Sequence, residues 1–173
     1  MSNAIQVRIE EKDAFTCIGK RLQTGSRNDR FFKDIATFEV EHEKNGFFKT
    51  LAALAGSGDR YHFCDHSRYV QGDEEFKFDI VFTIMKPDKE VPAELELEEF
   101  EVPAHRWVVL SIQAPVTNER DDAMGKLNDY ARKWMDKNDS DWAFDWEIDH
   151  FPEGERKSED YILTKWIPYK KKG

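Results

Sequence analysis

A set of aromatic side chains in the C-terminal half is the feature of this sequence most suited to chemistry. Its members are Trp107, Trp134, Trp142, Phe144, Trp146, Phe151, Tyr161, Trp166 and Tyr169. Trp142, Phe144 and Trp146 alternate along one predicted strand, so we expect them to share one face. Trp166 falls on a neighbouring predicted strand. Aromatic walls with few acids bind flat or lipophilic organic molecules, often cations, and the pattern therefore predicts a small-molecule pocket.

The sequence His62-Phe63-Cys64-Asp65-His66 has a spacing that could suit a metal site. On a strand, alternate residues point to one face about 7 Å apart, and imidazole and thiolate are zinc ligands. The sequence offers no evident fourth ligand and no second Cys/His pair with finger spacing. We therefore expect a strand of mixed core and edge character, without a metal or any other cofactor. The thiols of Cys17 and Cys64 are expected to be buried.

Catalytic motifs are missing from the sequence. It contains no Gly-x-Ser-x-Gly elbow, no Gly-rich phosphate loop and no His-Glu-x-x-His. Glu147 and Asp79 are candidate general bases for activating water, but no catalytic residue is assigned. We expect a binding protein rather than an enzyme, with hydrolysis of a reactive compound as the alternative.

The amino-acid composition limits the classes of binding partner that we expect. The 173 residues include 26 Lys and Arg against 35 Asp and Glu, a net charge of −9. That balance disfavours binding to nucleic acid or to an anionic membrane. Two cysteines and the lack of a signal pattern indicate a reducing, cytoplasmic compartment, and no run approaches the roughly 18 apolar residues of a membrane span.

The elements that would position these side chains follow from hydrophobic periodicity. Predicted strands cover 4–10, 15–22, 60–66, 76–86, 106–112, 142–149 and 161–169. Predicted helices cover 35–46, a short stretch at 47–55, and Thr117 to about Lys137. The acidic stretch 90–101 is expected to be a solvated connector or an edge strand.

The order strand, strand, helix, strand, strand occurs twice, which indicates an internal repeat. Residues 12–18 parallel 102–108, and 82–87 parallel 163–168, each of the latter placing Thr four residues before Pro. We expect one α+β domain over 5–171, with pseudo-repeats of about 5–88 and 96–171. Duplicated β-α-β-β units would form an antiparallel sheet with two main helices on one face and a ligand groove at the pseudo-twofold junction.

The end of the chain, Glu159-Asp160-Tyr161 followed by Trp166-Ile167-Pro168-Tyr169-Lys170-Lys171, resembles the closing strand of GyrI-like domains, also called AraC-type effector-binding domains. Further similar stretches lie at 35–46, 61–65, 78–79, 100–109 and Trp134. The resemblance spans almost the whole chain and implies the same duplicated fold with a ligand groove. Regulators of this type carry an added helix-turn-helix, for which no segment is left here. We therefore expect a stand-alone form without direct nucleic-acid or membrane binding.

The resemblance also implies what fills the groove. In many relatives a glutamate four residues before the closing-strand proline faces lipophilic cations, whereas this chain has Thr164 there, followed by Lys165. We expect a lipophilic or aromatic ligand with Thr164 as a hydrogen-bonding floor. The expected walls are Trp107, Trp146, Tyr161 and Trp166.

Two alternatives to simple ligand binding follow from the same resemblance. One branch of the family resembles hydrolases that open cyclopropane-type toxins with groove carboxylates, for which Glu147 or Asp79 would be the acid. The other alternative is a gyrase-inhibitor-like module for a protein partner, with the acidic stretch 90–101 as an electrostatic mimic of DNA.

Overall fold

The computed structural model describes residues 4–117 and 122–173 and contains a large antiparallel sheet with helices on one face. The strands are β1 (Gln6–Lys12), β2 (Phe15–Gly25), β3 (Arg60–Asp65), β4 (Lys77–Met85), β5 (Glu98–Val102), β6 (His105–Gln113), β7 (Ser140–Trp142), β8 (Trp146–Phe151) and β9 (Ile162–Lys171). The helices are α1 (Arg30–Lys44), α2 (Phe47–Ala55) and α3 (Ala123–Lys137). The predicted α+β class with an antiparallel sheet is confirmed. Within the two described ranges, no helix has the length and apolar character needed to span a membrane.

The strand order is symmetric about its central pair. It runs β1-β6-β9-β8-β3-β4-β2-β5, with β7 added against β9. The first strand of each predicted repeat lies at the edge of the other repeat, since β1 pairs with β6 and β5 pairs with β2. This order fits the two predicted repeats, whose exact division remains a prediction.

Short connections force the sheet to curl. Lys12 ends β1 and Phe15 begins β2, yet these strands lie six positions apart in the strand order. At about 4.8 Å per strand a flat sheet would separate them by roughly 29 Å, whereas three Cα steps reach at most about 11 Å. The two edges of the sheet therefore approach each other at this end. Val102 ends β5 and His105 begins β6, so this equally short link connects the two sides of the sheet in the opposite direction.

Buried side chains form three clusters. One contains the α3 residues Leu127, Ala131 and Met135, and a second contains residues of α1 and α2; both lie on the face that carries the helices. The third, which we call the seam cluster, lies on the opposite, helix-free face and has only strand residues as members. Its buried members are Cys17, Phe63, Val81, Val102, Trp107, Val109 and Ile148, with Phe15, Tyr61, Met85, Phe100, Trp146 and Trp166 packed against them.

Two predicted elements differ in detail. The single strand predicted over 142–149 is wrong, because the chain leaves the extended conformation at 143–145 and divides into β7 and β8. Trp142 consequently packs with the α3 cluster, on the face opposite Trp146. The helix predicted from Thr117 is described from Ala123 onwards, where the Asp122 side chain accepts hydrogen bonds from the first backbone N–H groups. The predicted first turn at 118–121 lies outside the described residues.

Candidate functional site

Three of the predicted ligand-binding tryptophans meet in the seam cluster. The ring centroid of Trp107 lies 5.9 Å from that of Trp146 and 6.4 Å from that of Trp166. Strand register explains the meeting, because Trp166 on β9 pairs with Val109 on β6 and with Ile148 on β8. Residues directly opposite in an antiparallel pair share a face. The structure therefore brings together side chains from three strands that are distant in sequence.

The seam is filled by its own side chains. Trp107 is 0% exposed and Phe63 is 2% exposed, although no helix of the described residues covers this face. Two cavities, of about 300 Å³ beside α2 and about 290 Å³ beside α3, are lined by other residues. Five aromatic rings that pack against the buried members of the seam cluster are only half-buried, and we call them the mouth rings. They are Phe15, Tyr61, Phe100, Trp146 and Trp166. For a ligand to enter the seam, these mouth rings would have to rotate.

The buried indole of Trp107 carries an unused donor. Its Nε1 has no hydrogen-bond partner among the described residues. An unsatisfied buried donor of this kind costs about 1–3 kcal/mol of stability. The seam therefore contains a buried hydrogen-bond donor without an acceptor among the described residues.

Lys12 provides a cation at the edge of the same cluster. Its Nζ lies 4.0 Å from the centroid of the Trp166 ring, a cation–π contact. Nζ also donates to Glu10 Oε2 at 2.8 Å, and Glu10 is bonded to Arg8 as well. These hydrogen bonds, first from Lys12 and then from Arg8, hold the pKa of Glu10 below its usual value. The outer wall of the seam thus carries two cations and one carboxylate.

Thr164 lies where the sequence analysis expects a floor. It is buried on β9 two residues before Trp166, on the same face of the strand. Its Oγ1 is 3.5 Å from Ser111 Oγ, the outer limit of a hydrogen bond. The hydroxyl is therefore only weakly engaged.

Tyr161 lies apart from the other predicted ligand residues. It packs in the α3 cluster on the helix-covered face, and its hydroxyl donates to the Pro152 carbonyl at 2.7 Å. Burial raises the pKa of this phenol. The structure does not bring Tyr161 to the three tryptophans.

Asp79, a candidate base, shares the helix-free face but is fully engaged. Arg68 Nε donates to its Oδ1 at 2.7 Å, and Arg21 Nη1 donates to its Oδ2 at 2.7 Å. Arg21 also bonds Asp65 at 2.9 Å and Glu98 at 3.1 Å. Both carboxylate oxygens of Asp79 therefore already accept from guanidinium groups.

Glu147, the other candidate base, lies on the helix-covered face. Lys165 Nζ is 2.9 Å from Oε1, and Trp142 Nε1 donates to Oε2 at 2.6 Å. Burial acts to raise the pKa of Glu147, but the Lys165 ammonium outweighs it and the pKa is lowered. For Asp149, which lies 2.7 Å from the same ammonium, burial prevails and raises the pKa. The hydrolase alternative thus has neither candidate acid free beside the tryptophans.

The His62–His66 stretch is partly buried, with Cys64 and His66 of intermediate exposure. The His62 ring is 6% exposed and lies 4.6 Å from Phe82 and 4.4 Å from Phe151, and burial holds its pKa well below the usual value. Burial also raises the pKa of Cys64, and it raises that of Cys17 to about 12. Within residues 4–117 and 122–173 there is no group of three or more His, Cys, Asp or Glu placed to hold a metal ion.

Sequence reasoning missed several members of the seam cluster, notably Phe15, Tyr61 and Phe100, and also Lys12 at its edge. One signal was present, because Phe15 and Cys17 lie two residues apart on β2 with the polar Thr16 between them. The pairing of Phe15 with Val102 and of Cys17 with Phe100 joins the two sequence halves. Such pairing is non-local, and the alternation alone does not reveal it.

The comparison with protein families gave one match. The model for GyrI-like small molecule binding domains matches residues 5–170. A search of the curated proteins found no match.

Solved structures with the same fold were found at low sequence identity. SAV2435 bound to tetraphenylphosphonium is 14% identical, with a TM-score of 0.74 over 95% of this chain and 94% of that chain. A protein from Staphylococcus aureus MU50 is 14% identical, with a TM-score of 0.69 over 95% and 98% of the two chains. The EcmrR C-terminal domain is 12% identical, with a TM-score of 0.64 over 97% and 99%.

Proposed function

The chain belongs to the family of GyrI-like small molecule binding domains, and on this premise we propose that it binds a lipophilic or aromatic compound at the seam cluster. Trp107, Trp146 and Trp166 would form the walls of the site, and Thr164 would offer a hydrogen bond. The observation that carries this proposal is the meeting of three tryptophans on the one face of the sheet that no helix covers.

Entry of the ligand would depend on the mouth rings. Trp146 stacks on Phe144, with centroids 5.1 Å apart and an angle of 4° between the planes. Phe144 lies in the 143–145 connection between β7 and β8, where the backbone is hydrogen-bonded on both sides of it, from Ala143 N–H to the Pro168 carbonyl at 2.8 Å and from His66 N–H to the Asp145 carbonyl at 2.9 Å, so entry would depend on rotation of the side chains. Swinging Phe144 and Trp146 outward would free a space between Trp107 and Phe63. The tetraphenylphosphonium bound to SAV2435 supports a site of this fold that accepts a bulky phenyl-bearing guest.

Binding without turnover fits the site better than hydrolysis. Asp79 is held by two arginines and Glu147 points to the opposite face. What remains at the seam is apolar area, with each large ring able to bury about 150–250 Å². Such a surface supplies affinity, whereas a general base would need a free lone pair near the ligand.

A tryptophan-fluorescence titration with hydrophobic aromatic compounds tests the proposal. Tetraphenylphosphonium and neutral polycyclic arenes are suitable probes. We expect saturable quenching in the wild type and roughly tenfold weaker binding in Trp146→Ala, because a wall ring is lost.

Trp134→Phe is the matched control. Trp134 lies on α3 and packs edge-on against Tyr169 at 5.4 Å, on the helix-covered face. This variant should bind like the wild type. An absence of response to every probe, or an equal loss in both variants, would contradict a site at the seam.

A further inference from the structure

The position that a lipophilic cation would take at the seam is already occupied. Lys12 Nζ sits 4.0 Å from the Trp166 ring centroid. A ring face attracts one cation at a time, and a second positive charge there would meet the first at close range. A cationic ligand would therefore have to displace Lys12 from Trp166.

The helix-free face also offers no spare carboxylate to such a cation among the residues that the structure describes. Its strand acids are all ion-paired: Glu10 with Lys12 and Arg8, Asp65 and Glu98 with Arg21, and Asp79 with Arg21 and Arg68. The residue beside Trp166 on this face is Thr164, which is uncharged. At the β1 edge, two cations face one carboxylate, which leaves a local excess of positive charge.

A buried polar group within the seam is a donor. Trp107 Nε1–H is buried and has no acceptor within residues 4–117 and 122–173. Its ring centroid is 6.4 Å from that of Trp166, which carries Lys12. A ligand that combines an aromatic body with an acceptor oxygen would give the indole N–H its missing acceptor and would add a second anionic partner to Lys12, which already donates to Glu10.

We propose that the seam site prefers aromatic acids to lipophilic cations. The ring system of the ligand packs between the tryptophans, and its carboxylate accepts from the Lys12 ammonium and from the Trp107 indole. This inference rests on the proposed function and names the ligand class of the same site.

Tetraphenylborate and tetraphenylphosphonium separate charge from shape, because both place four phenyl groups tetrahedrally around one atom and differ in the sign of their charge. Titrated against tryptophan fluorescence, the borate should bind about tenfold more tightly than the phosphonium. In Lys12→Met, which keeps the apolar stem and removes the charge, this preference should shrink to about twofold or less.

Lys20→Met is the matched control. Lys20 also lies on a strand with its ammonium over an aromatic ring, 4.8 Å from the Phe47 centroid, but in the cluster of the helix-covered face. Removing its charge should leave the borate preference unchanged. An equal effect of both substitutions would show a general charge effect and overturn the proposal.

Pyrene-1-butyrate tests the hydrogen bond. Trp107→Phe should weaken its binding several-fold more than that of tetraphenylborate, which has no acceptor oxygen. Tighter binding of the phosphonium than of the borate in the wild type would overturn this inference and leave the proposed function standing. Binding of none of the three probes would overturn both.

Discussion

Phe15 and Trp107 lie on strands five positions apart in the sheet, yet their ring centroids are only 6.3 Å apart. The contact exists because the two-residue link after β1 carries the chain from one edge strand to β2, which lies next to the opposite edge strand β5. The curl turns the helix-free face inward, so that strand side chains bury one another without a covering layer. This is why a face that would otherwise be exposed can contain a fully buried tryptophan.

Gly19→Ala should destabilise the fold by about 2–3 kcal/mol. A Cβ built on Gly19 would lie 1.9 Å from the Phe82 carbonyl oxygen, and that oxygen belongs to paired backbone that cannot move aside. Urea unfolding measures the loss. Gly25→Ala, at the other end of β2, meets only the flexible side chain of Glu75 and should cost less. Equal losses would show that the tight approach at Gly19 is absent in solution.

Lys165→Met should cost about 3–5 kcal/mol at neutral pH, because it leaves Glu147 and Asp149 buried without their cation. The loss should be smaller at pH 5, where protonation can neutralise the stranded carboxyls. Lys172→Met is the control, since its pair with Asp136 is solvent-exposed and should contribute under about 1 kcal/mol. Chemical unfolding at both pH values checks this. A loss that does not depend on pH would argue against two trapped charges.

His62 should make stability fall as the solution is acidified. Burial, followed by repulsion from Arg156 and Arg60, holds its folded-state pKa well below the ordinary 6.5. Below pH 6.5 the unfolded chain therefore binds a proton that the folded chain does not, and stability rises with pH in that window. His62→Phe, which keeps a ring between Phe82 and Phe151, should flatten the slope by up to about 1.4 kcal/mol per pH unit. An unchanged slope would contradict this assignment.

Cys17 should be protected from thiol reagents. Its side chain is 0% exposed, its Sγ lies 3.8 Å from Met85 Sδ, and burial raises its pKa to about 12. In Cys64→Ser, which isolates this thiol, reaction with Ellman's reagent at pH 8 should be on the order of a thousandfold slower than in denaturant. Because Cys17 belongs to the seam cluster, Trp146→Ala should speed the reaction. Rapid labelling of the folded Cys64→Ser protein would mean that the seam is open at rest.

Local sequence patterns were enough to predict much of the fold. Alternation and breaker residues located most strands, and the doubled order of elements led to an antiparallel sheet with its helices on one face. The three tryptophans of the seam were found from their residue type and strand positions. Tyr161 was grouped with them because it is aromatic and near in sequence. Its odd offset from Thr164 along the β9 direction places it on the other face, as period-two alternation would indicate.

Other features depended on contacts that no local window contains. Lys12 on β1 contacts Trp166 on β9 across the intervening strand β6. This contact requires the curl of the sheet, which brings side chains of β1 and β9 together. The break at 143–145 has the sequence Ala-Phe-Asp, without the glycine or proline that usually ends a strand. The filling of the groove by its own rings depends on side-chain packing across six strands.

The exchange of first strands between the two halves has a mechanical consequence. A chain cut once between β4 and β5 would yield two fragments, each still hydrogen-bonded along its leading strand to the body of its counterpart. In either fragment alone, the first strand would lack its pairing partner. Refolded together, the two fragments should assemble as a heterodimer. Because each half pairs its first strand with the other half, we expect the whole molecule to unfold in one cooperative transition.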